Sequence, residues 1–245
     1  MIGSIVICAY VALFFAYIQI PDDKFHMYFL NIGQGDGMLV RTPDNHQILI
    51  DGGPDNKIIG ELGAVLPFFD KSIDLVILSH PHADHMNGLI EVLKRYKVEN
   101  VLLTGVNYNS SDYKEFLAEI KNQNIRFFIA EKSSDFKFGD VIFDVLYPEG
   151  QILGRNFKNL NNSSIALRVM YKNKIILLTG DLESEAEAEL IARYGNLLKA
   201  DVFKAGHHGS RYSSSLSLFQ KIQPTIAVIQ SGNNNINLGI HTRKL

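Results

Sequence analysis

The chain has 245 residues, 46% of them hydrophobic and 20% charged, with a net charge of −2. That composition excludes a disordered or low-complexity polymer, and the length supplies one full core, so a single folded domain is expected. Charge is unevenly spread: residues 151–245 carry 12 basic and 6 acidic side chains against 12 and 20 in residues 1–150, a bias that suits a polyanionic partner and equally a solvated surface with none.

Ile2 to Ile20 holds no charged residue and is long enough to cross a hydrocarbon core of about 30 Å as a helix. Pro21-Asp22-Asp23-Lys24 ends the run. Residues 1–22 are therefore expected to be a transmembrane anchor or a signal segment. The anchor is favoured because no Lys or Arg precedes the run and no small-x-small cleavage site follows it. A lipoprotein signal fails on Ile7, which stands where a small residue should precede Cys8. Cys8, the single cysteine, cannot form an intrachain disulfide. Residues 25–245 form the expected domain, membrane-anchored and extracytoplasmic, although Lys24 between the anchor and the domain is a weak topological signal beside Asp22 and Asp23.

Beyond the anchor, Phe25–Asn31, Met38–Thr42 and Gln47–Asp51 read as strands of a meander, separated by Gly33-Gln34-Gly35-Asp36-Gly37 and Pro43-Asp44-Asn45. Residues 57–70 are expected to form a helix and loop, and Asp74–Ser79 a buried strand. Met86–Tyr96 follows as a helix with Leu89, Ile90 and Leu93 on one face. Strands are then expected near residues 100–104, 125–130, 141–146, 165–171, 174–179, 201–204 and 225–230, with helices at 112–122, 183–194 and 215–222. No internal repeat and no linker interrupts this alternation, which packs most naturally as two sheets with helices outside.

The chemistry concentrates in His80-Pro81-His82-Ala83-Asp84-His85, delivered by the apolar run Leu75-Val76-Ile77-Leu78. Two imidazoles one residue apart can turn toward one cation, and the adjacent Asp84 and His85 reach a second. Three further segments end a strand in a ligand-type residue flanked by glycine: Asp51-Gly52-Gly53, Gly180-Asp181, and Gly206-His207-His208-Gly209-Ser210. Each alone is more often a turn or cap, but together with the histidine cluster they point to a metal site.

The ordered set G-Q-G-D-G from Gly33, L-I-D-G-G from Leu49, S-H-P-H-A-D-H from Ser79, L-T-G-D-L-E from Leu178 and H-H-G-S from His207 resembles a metallo-β-lactamase-fold hydrolase. More narrowly, it is similar to the soluble domain of the ComEC-type competence proteins. The H-x-H-x-D-H element belongs to the whole superfamily, whereas the G-Q-G-D start and the G-D-L-E and H-H-G-S pair narrow it. The resemblance implies an α/β fold, a four-layer αββα sandwich with two divalent metal ions, zinc or manganese, along one edge. It implies His80 and His82 on one metal, Asp84 and His85 on the other, and Asp181 bridging them. His208 would complete the second site and His207 would donate to substrate oxygen, with an exchange of those two roles left open. Asn161-Asn162-Ser163-Ser164 stands where many relatives supply another histidine, so Asn161 and Ser164 become candidates for substrate binding or ligand support, and the first metal would hold more water. Asp51 is expected to orient a ligand imidazole from behind. Lys204, Ser210 and the amides around Gly209 are candidates, with His207 and Asp84, to act on the substrate.

The expected activity is metal-dependent hydrolysis, which needs no nucleophilic side chain because paired cations activate water and stabilise entering and leaving oxygens. A phosphodiesterase acting on DNA is the leading reading. Hydrolysis of another phosphoester such as surface phosphocholine, or of a lactam or thioester, shares the same centre, and a non-catalytic metal-containing binding module is the third reading. With at most one candidate span, the chain would need a separate channel protein for any import of DNA. Gly239-Ile240-His241-Thr242 stands where the family carries Gly-His-Pro, so a shortened C-terminal wall is expected.

Overall fold

The structure, a computed structural model, describes residues 22–232 together with Val6, Ile7 and Tyr10. Apart from Val6, Ile7, Tyr10 and Asp22, the expected anchor lies outside the described residues, as does the expected C-terminal wall. Among those described, no helix is long and apolar enough to cross a membrane.

The chain folds in two successive halves, each building one six-stranded mixed sheet. In the first, β1 (His26–Phe29), β2 (Met38–Arg41) and β3 (Gln47–Ile50) form an antiparallel meander. β4 (Ser72–Ile77), β5 (Lys97–Leu103) and β6 (Arg126–Ile129) then add in parallel beside β3. The crossovers are the helices α1 (Lys57–Val65), α2 (Ala83–Arg95) and α3 (Ser111–Asn122). α1 stops because Leu66 precedes Pro67 and takes an extended backbone, as the proline ring demands.

The second half repeats the plan. β7 (Phe136–Phe138), β8 (Val141–Tyr147), β9 (Ala166–Tyr171) and β10 (Lys174–Leu178) pair antiparallel, and β11 (Val202–Lys204) and β12 (Ile226–Val228) follow in parallel. α4 (Ser184–Tyr194) and α5 (Leu216–Ile222) are its crossover helices.

Alternation along the strands creates three apolar interfaces. Leu75 and Ile77 of β4 point inward with Phe143, Val145, Leu167 and Leu178 between the sheets. Val76 points the other way, onto Leu89, Val92 and Phe116 of α2 and α3. On the far side Leu177 and Phe203 meet Leu190 and Leu218 of α4 and α5. The result is the expected αββα order of layers.

Three elements differ from expectation. β7 is an unforeseen strand, made by Phe136 and Phe138 facing Phe143 across a hairpin. β5 begins earlier, at Lys97, because its parallel register with Ser72 and Ile73 extends the ladder past the apolar run. α2 begins at Ala83, so Asp84 and His85 lie in its first turn instead of a loop.

Candidate metal centre

In parallel sheets the C-terminal ends of the strands share one edge, and loops leaving them meet in one crevice. β3 delivers Asp51 there, β4 delivers His80 to His85, β10 delivers Asp181, and β11 delivers His207 and His208. Backbone contacts lock these loops together. Gly52 N–H donates to His85 O at 2.7 Å, Gly88 N–H to Gly53 O at 2.9 Å, and Asp36 N–H to Asp84 O at 3.2 Å. Asp51, His207 and His208 all have positive φ, a strained conformation that Asp and His tolerate better than most residues and that clusters at functional sites.

His85 is fully buried between two carboxylates. Its Nδ1 lies 2.8 Å from Asp51 Oδ2 and its Nε2 lies 3.1 Å from Asp181 Oδ2. Asp51 is fixed in turn by the backbone N–H and the hydroxyl of Ser79, each donating at 2.7 Å. His208 repeats the pattern. Nδ1 is 3.1 Å from both Asp36 Oδ1 and the Gln230 carbonyl, while Nε2 is 3.1 Å from Asp84 Oδ2 and 3.4 Å from Asp181 Oδ2. In both rings an outer acceptor takes Nδ1, which leaves Nε2 turned toward the Asp181 carboxylate; such outer acceptors set the tautomer of metal-ligating histidines.

Beside this group, His80 Nε2 and His82 Nδ1 face each other at 3.0 Å, and the His80 and His85 rings lie 4.3 Å apart. At the mouth, His207 is 30% exposed, its Nδ1 3.4 Å from Glu183 Oε1 and 3.4 Å from Asn161 Nδ2. Asn161 itself donates to Glu183 Oε1 at 2.9 Å.

These residues fit a cation. Asp181 is almost fully buried, yet its Oδ1 makes no hydrogen bond, an arrangement that costs free energy unless something positive meets it. Donor atoms of Asp36, His85, Asp181 and His208 all lie within 4.8 Å of one another. Asp36 is engaged by the Lys204 ammonium and lies on the Nδ1 side of His208, whereas Asp84 meets Nε2. Asp181, His85 and His208 are thus the common core of a candidate cation site, flanked by the Asp36 carboxylate on the Nδ1 side of His208 and the Asp84 carboxylate on its Nε2 side. Imidazole and carboxylate donors suit zinc and neighbouring first-row metals.

A family model of the Metallo-beta-lactamase superfamily matches residues 30–232. The chain belongs to that superfamily. Among proteins similar to this member, the ComE operon protein 3 of Bacillus subtilis is 29% identical over 96% of this chain and 32% of its own length. Recombination protein 2 of Haemophilus influenzae is 29% identical over 95% of this chain and 27% of its own. Competence protein ComA of Neisseria gonorrhoeae is 28% identical over 88% and 28%. The chain thus spans a third or less of the length of these relatives. Among solved structures, the Rm3 metallo-beta-lactamase superposes with a TM-score of 0.51 at 18% identity, covering 80% of this chain and 87% of that one, which shows the shared fold.

As a metallo-beta-lactamase superfamily member, the chain is a metal-dependent hydrolase, and in the metal-free site the Asp181 and Asp84 carboxylates are held ionised by the imidazoles beside them. Burial opposes ionisation of Asp181, but His85 and His208 hold its pKa well below the usual carboxylate range. Burial likewise opposes protonation of His208, yet hydrogen bonds with Asp181, Asp36 and Asp84 raise its pKa to about 10. His85 is raised well above the ordinary imidazole range against burial by Asp181 and Asp51. His80 moves the other way, lowered well below that range by burial and by repulsion from His85. Asp84 is held low by His208 and His85 against its burial.

The structure brings His80, His82, Asp84, His85, Asp181 and His208 into one cluster, with Asp51 behind His85. Ser164 is buried and its hydroxyl accepts from the Asp181 N–H at 3.1 Å, so it braces that loop. Ser210 turns into its own loop, its hydroxyl accepting from Tyr212 N–H at 3.3 Å. Lys204 departs from expectation. It is fully buried and ion-paired with Asp36, so it is neither a surface lysine nor open to substrate. Three residues escaped the sequence reading: Asp36 behind His208, Gln230 whose carbonyl meets the same nitrogen, and Glu183 beside His207. Asp36 and Glu183 each stand within a quoted motif, which was the available signal.

Proposed function

We propose that the chain is a metal-dependent phosphodiesterase that cuts DNA. The observation that carries the reading is the Asp181 carboxylate, buried between the Nε2 atoms of His85 and His208 with one oxygen left without a hydrogen bond. An acceptor so placed suits divalent cations, of which His80 and His82 would hold one and Asp84, His85 and His208 a second, with Asp181 available to both sets. Bound zinc or manganese would supply Lewis acidity toward a phosphoryl oxygen and bring water to an attacking form near neutral pH. The chain's own residues do the rest: Asp51 and Asp36 fix the ligand imidazoles, Glu183 and Asn161 hold His207, and His207 donates to a phosphate oxygen. DNA as the substrate is supported by two relatives whose names carry recombination and competence, matched over 95% and 88% of this chain. Attachment of an extracytoplasmic domain to a membrane through residues 1–22, and a separate channel protein for any import, belong to the same reading.

The test is DNA cleavage by the purified protein with manganese or zinc. His82→Ala, which removes a donor of the first pair, is expected to lower the rate on the order of 100-fold. A folded, metal-loaded protein that leaves every nucleic acid intact sinks the proposal, and activity confined to small phosphodiester reporters would move the reading to another phosphoester.

A further inference from the structure

A groove of ≈ 880 Å³ runs between α3 and the edge strand β6. Its walls include Tyr108, Tyr113, Leu117 and Phe127, and Phe127 is 58% exposed. Lys114 and Lys121 are exposed among the lining residues, and no acidic side chain lines the groove. The groove opens toward the metal centre through Tyr108, whose ring stands edge-on to His82 with centroids 6.2 Å apart and lies 6.3 Å from Tyr113. A second connection runs over the top. Asn107 N–H donates to Arg155 O at 2.9 Å, which ties down the loop that carries exposed Arg155 and Lys158 to Asn159. Asn159 donates to Glu183 Oε2 at 2.7 Å, at the mouth of the centre.

An apolar wall alone would fit a peptide. Cations without acids, open aromatic faces and continuity with a phosphoryl-binding centre together fit a strand that alternates flat apolar rings with phosphates. A duplex keeps its rings stacked inside and has nothing to offer Phe127. We propose that this groove binds the single strand of DNA that the metal centre cuts, with bases against Tyr108 and Phe127 and phosphates along Lys114 and Lys121. The inference takes its substrate class from the nuclease reading, but binding is measurable without cleavage.

The experiment is fluorescence anisotropy of a labelled oligothymidylate of about twelve nucleotides with the full chain in EDTA, which prevents cutting. Phe127→Ala removes an exposed ring, so the fold is retained, and Kd is expected to rise about tenfold. Lys114→Ala with Lys121→Ala is expected to reduce the slope of log K against log salt by about 1.4, the share of two phosphate contacts on a single strand. Lys57→Ala on α1 leaves both unchanged, and a duplex competes poorly. Unaltered affinity and salt slope in both groove variants overturn the proposal. So does a change in the sedimentation of the protein without any change in DNA affinity, which makes the groove a protein-docking surface. Groove-dependent binding with no cleavage under any metal keeps the groove and removes the nuclease reading; cleavage indifferent to the groove variants does the reverse.

Discussion

Asp36 and Lys204, 168 positions apart in the chain, meet as an ion pair in which both side chains are fully buried. The pair joins the first sheet's glycine-rich loop to strand β11 of the second sheet, and the same carboxylate reaches His208 Nδ1 at 3.1 Å. Removing one partner of such a pair strands the other charge in the interior. Lys204→Met is therefore expected to cost on the order of 3 kcal/mol in urea unfolding. Adding Asp36→Leu to Lys204→Met is expected to recover part of that loss, since no charge is then left unpaired. If the double variant is as unstable as the sum of the singles, the pair is not the source of the effect.

The metal-free protein is expected to be most stable near pH 6.5. His208 has its folded pKa raised to about 10, above the ordinary imidazole value of 6.5, so its contribution is full below about 6.5 and is lost as pH rises toward 10. His85 acts in the same direction. His80 is lowered below 6.5, so the unfolded chain binds the extra proton and stability falls as pH drops from that value. His208→Gln should flatten the alkaline limb of a stability profile measured in EDTA, and an unchanged limb would count against the assignment.

Cation binding is expected to stabilise the fold. At 100 times its dissociation constant, zinc or manganese would add about 2.7 kcal/mol and raise the melting midpoint by about 5–10 °C. Asp181→Asn removes the charge that faces both His85 and His208, so the shift should shrink to less than half. A variant that keeps the full shift would show that the cation sits elsewhere.

What could be read from the sequence depended on whether the signal was local. Alternation in Ile48-Leu49-Ile50 or Leu75-Val76-Ile77 is visible in a few residues, so the strands and their αββα packing were legible. His80 to His85 declared its chemistry because its donors are crowded together. Asp36 did not, because between two glycines it looks like any turn residue, and its meaning comes from Lys204 and His208 far along the chain. Lys204 misled for the same reason: a lysine ending a short strand is normally solvated, and only its distant partner makes burial tolerable. The start of α2 was hidden because Pro-His-Ala-Asp composition suits a loop and a helix N-terminus alike.

Gly88 supplies a test of how tightly the centre is braced. In a helix interior alanine is favoured over glycine by about 1 kcal/mol, and Gly60→Ala in α1, with nothing within 4 Å of the added carbon, should stabilise by up to about that amount. At Gly88 the added carbon would stand 1.9 Å from the Gly52 carbonyl oxygen, which is backbone and cannot turn aside. Gly52 follows Asp51, whose Oδ2 holds His85 Nδ1 at 2.8 Å, so the displacement reaches a proposed ligand. Gly88→Ala is accordingly expected to destabilise by about 2 kcal/mol or more and also to weaken metal binding in calorimetry. Equal behaviour of Gly60→Ala and Gly88→Ala would mean that the close approach of α2 to the Asp51 loop carries no strain and does not position His85.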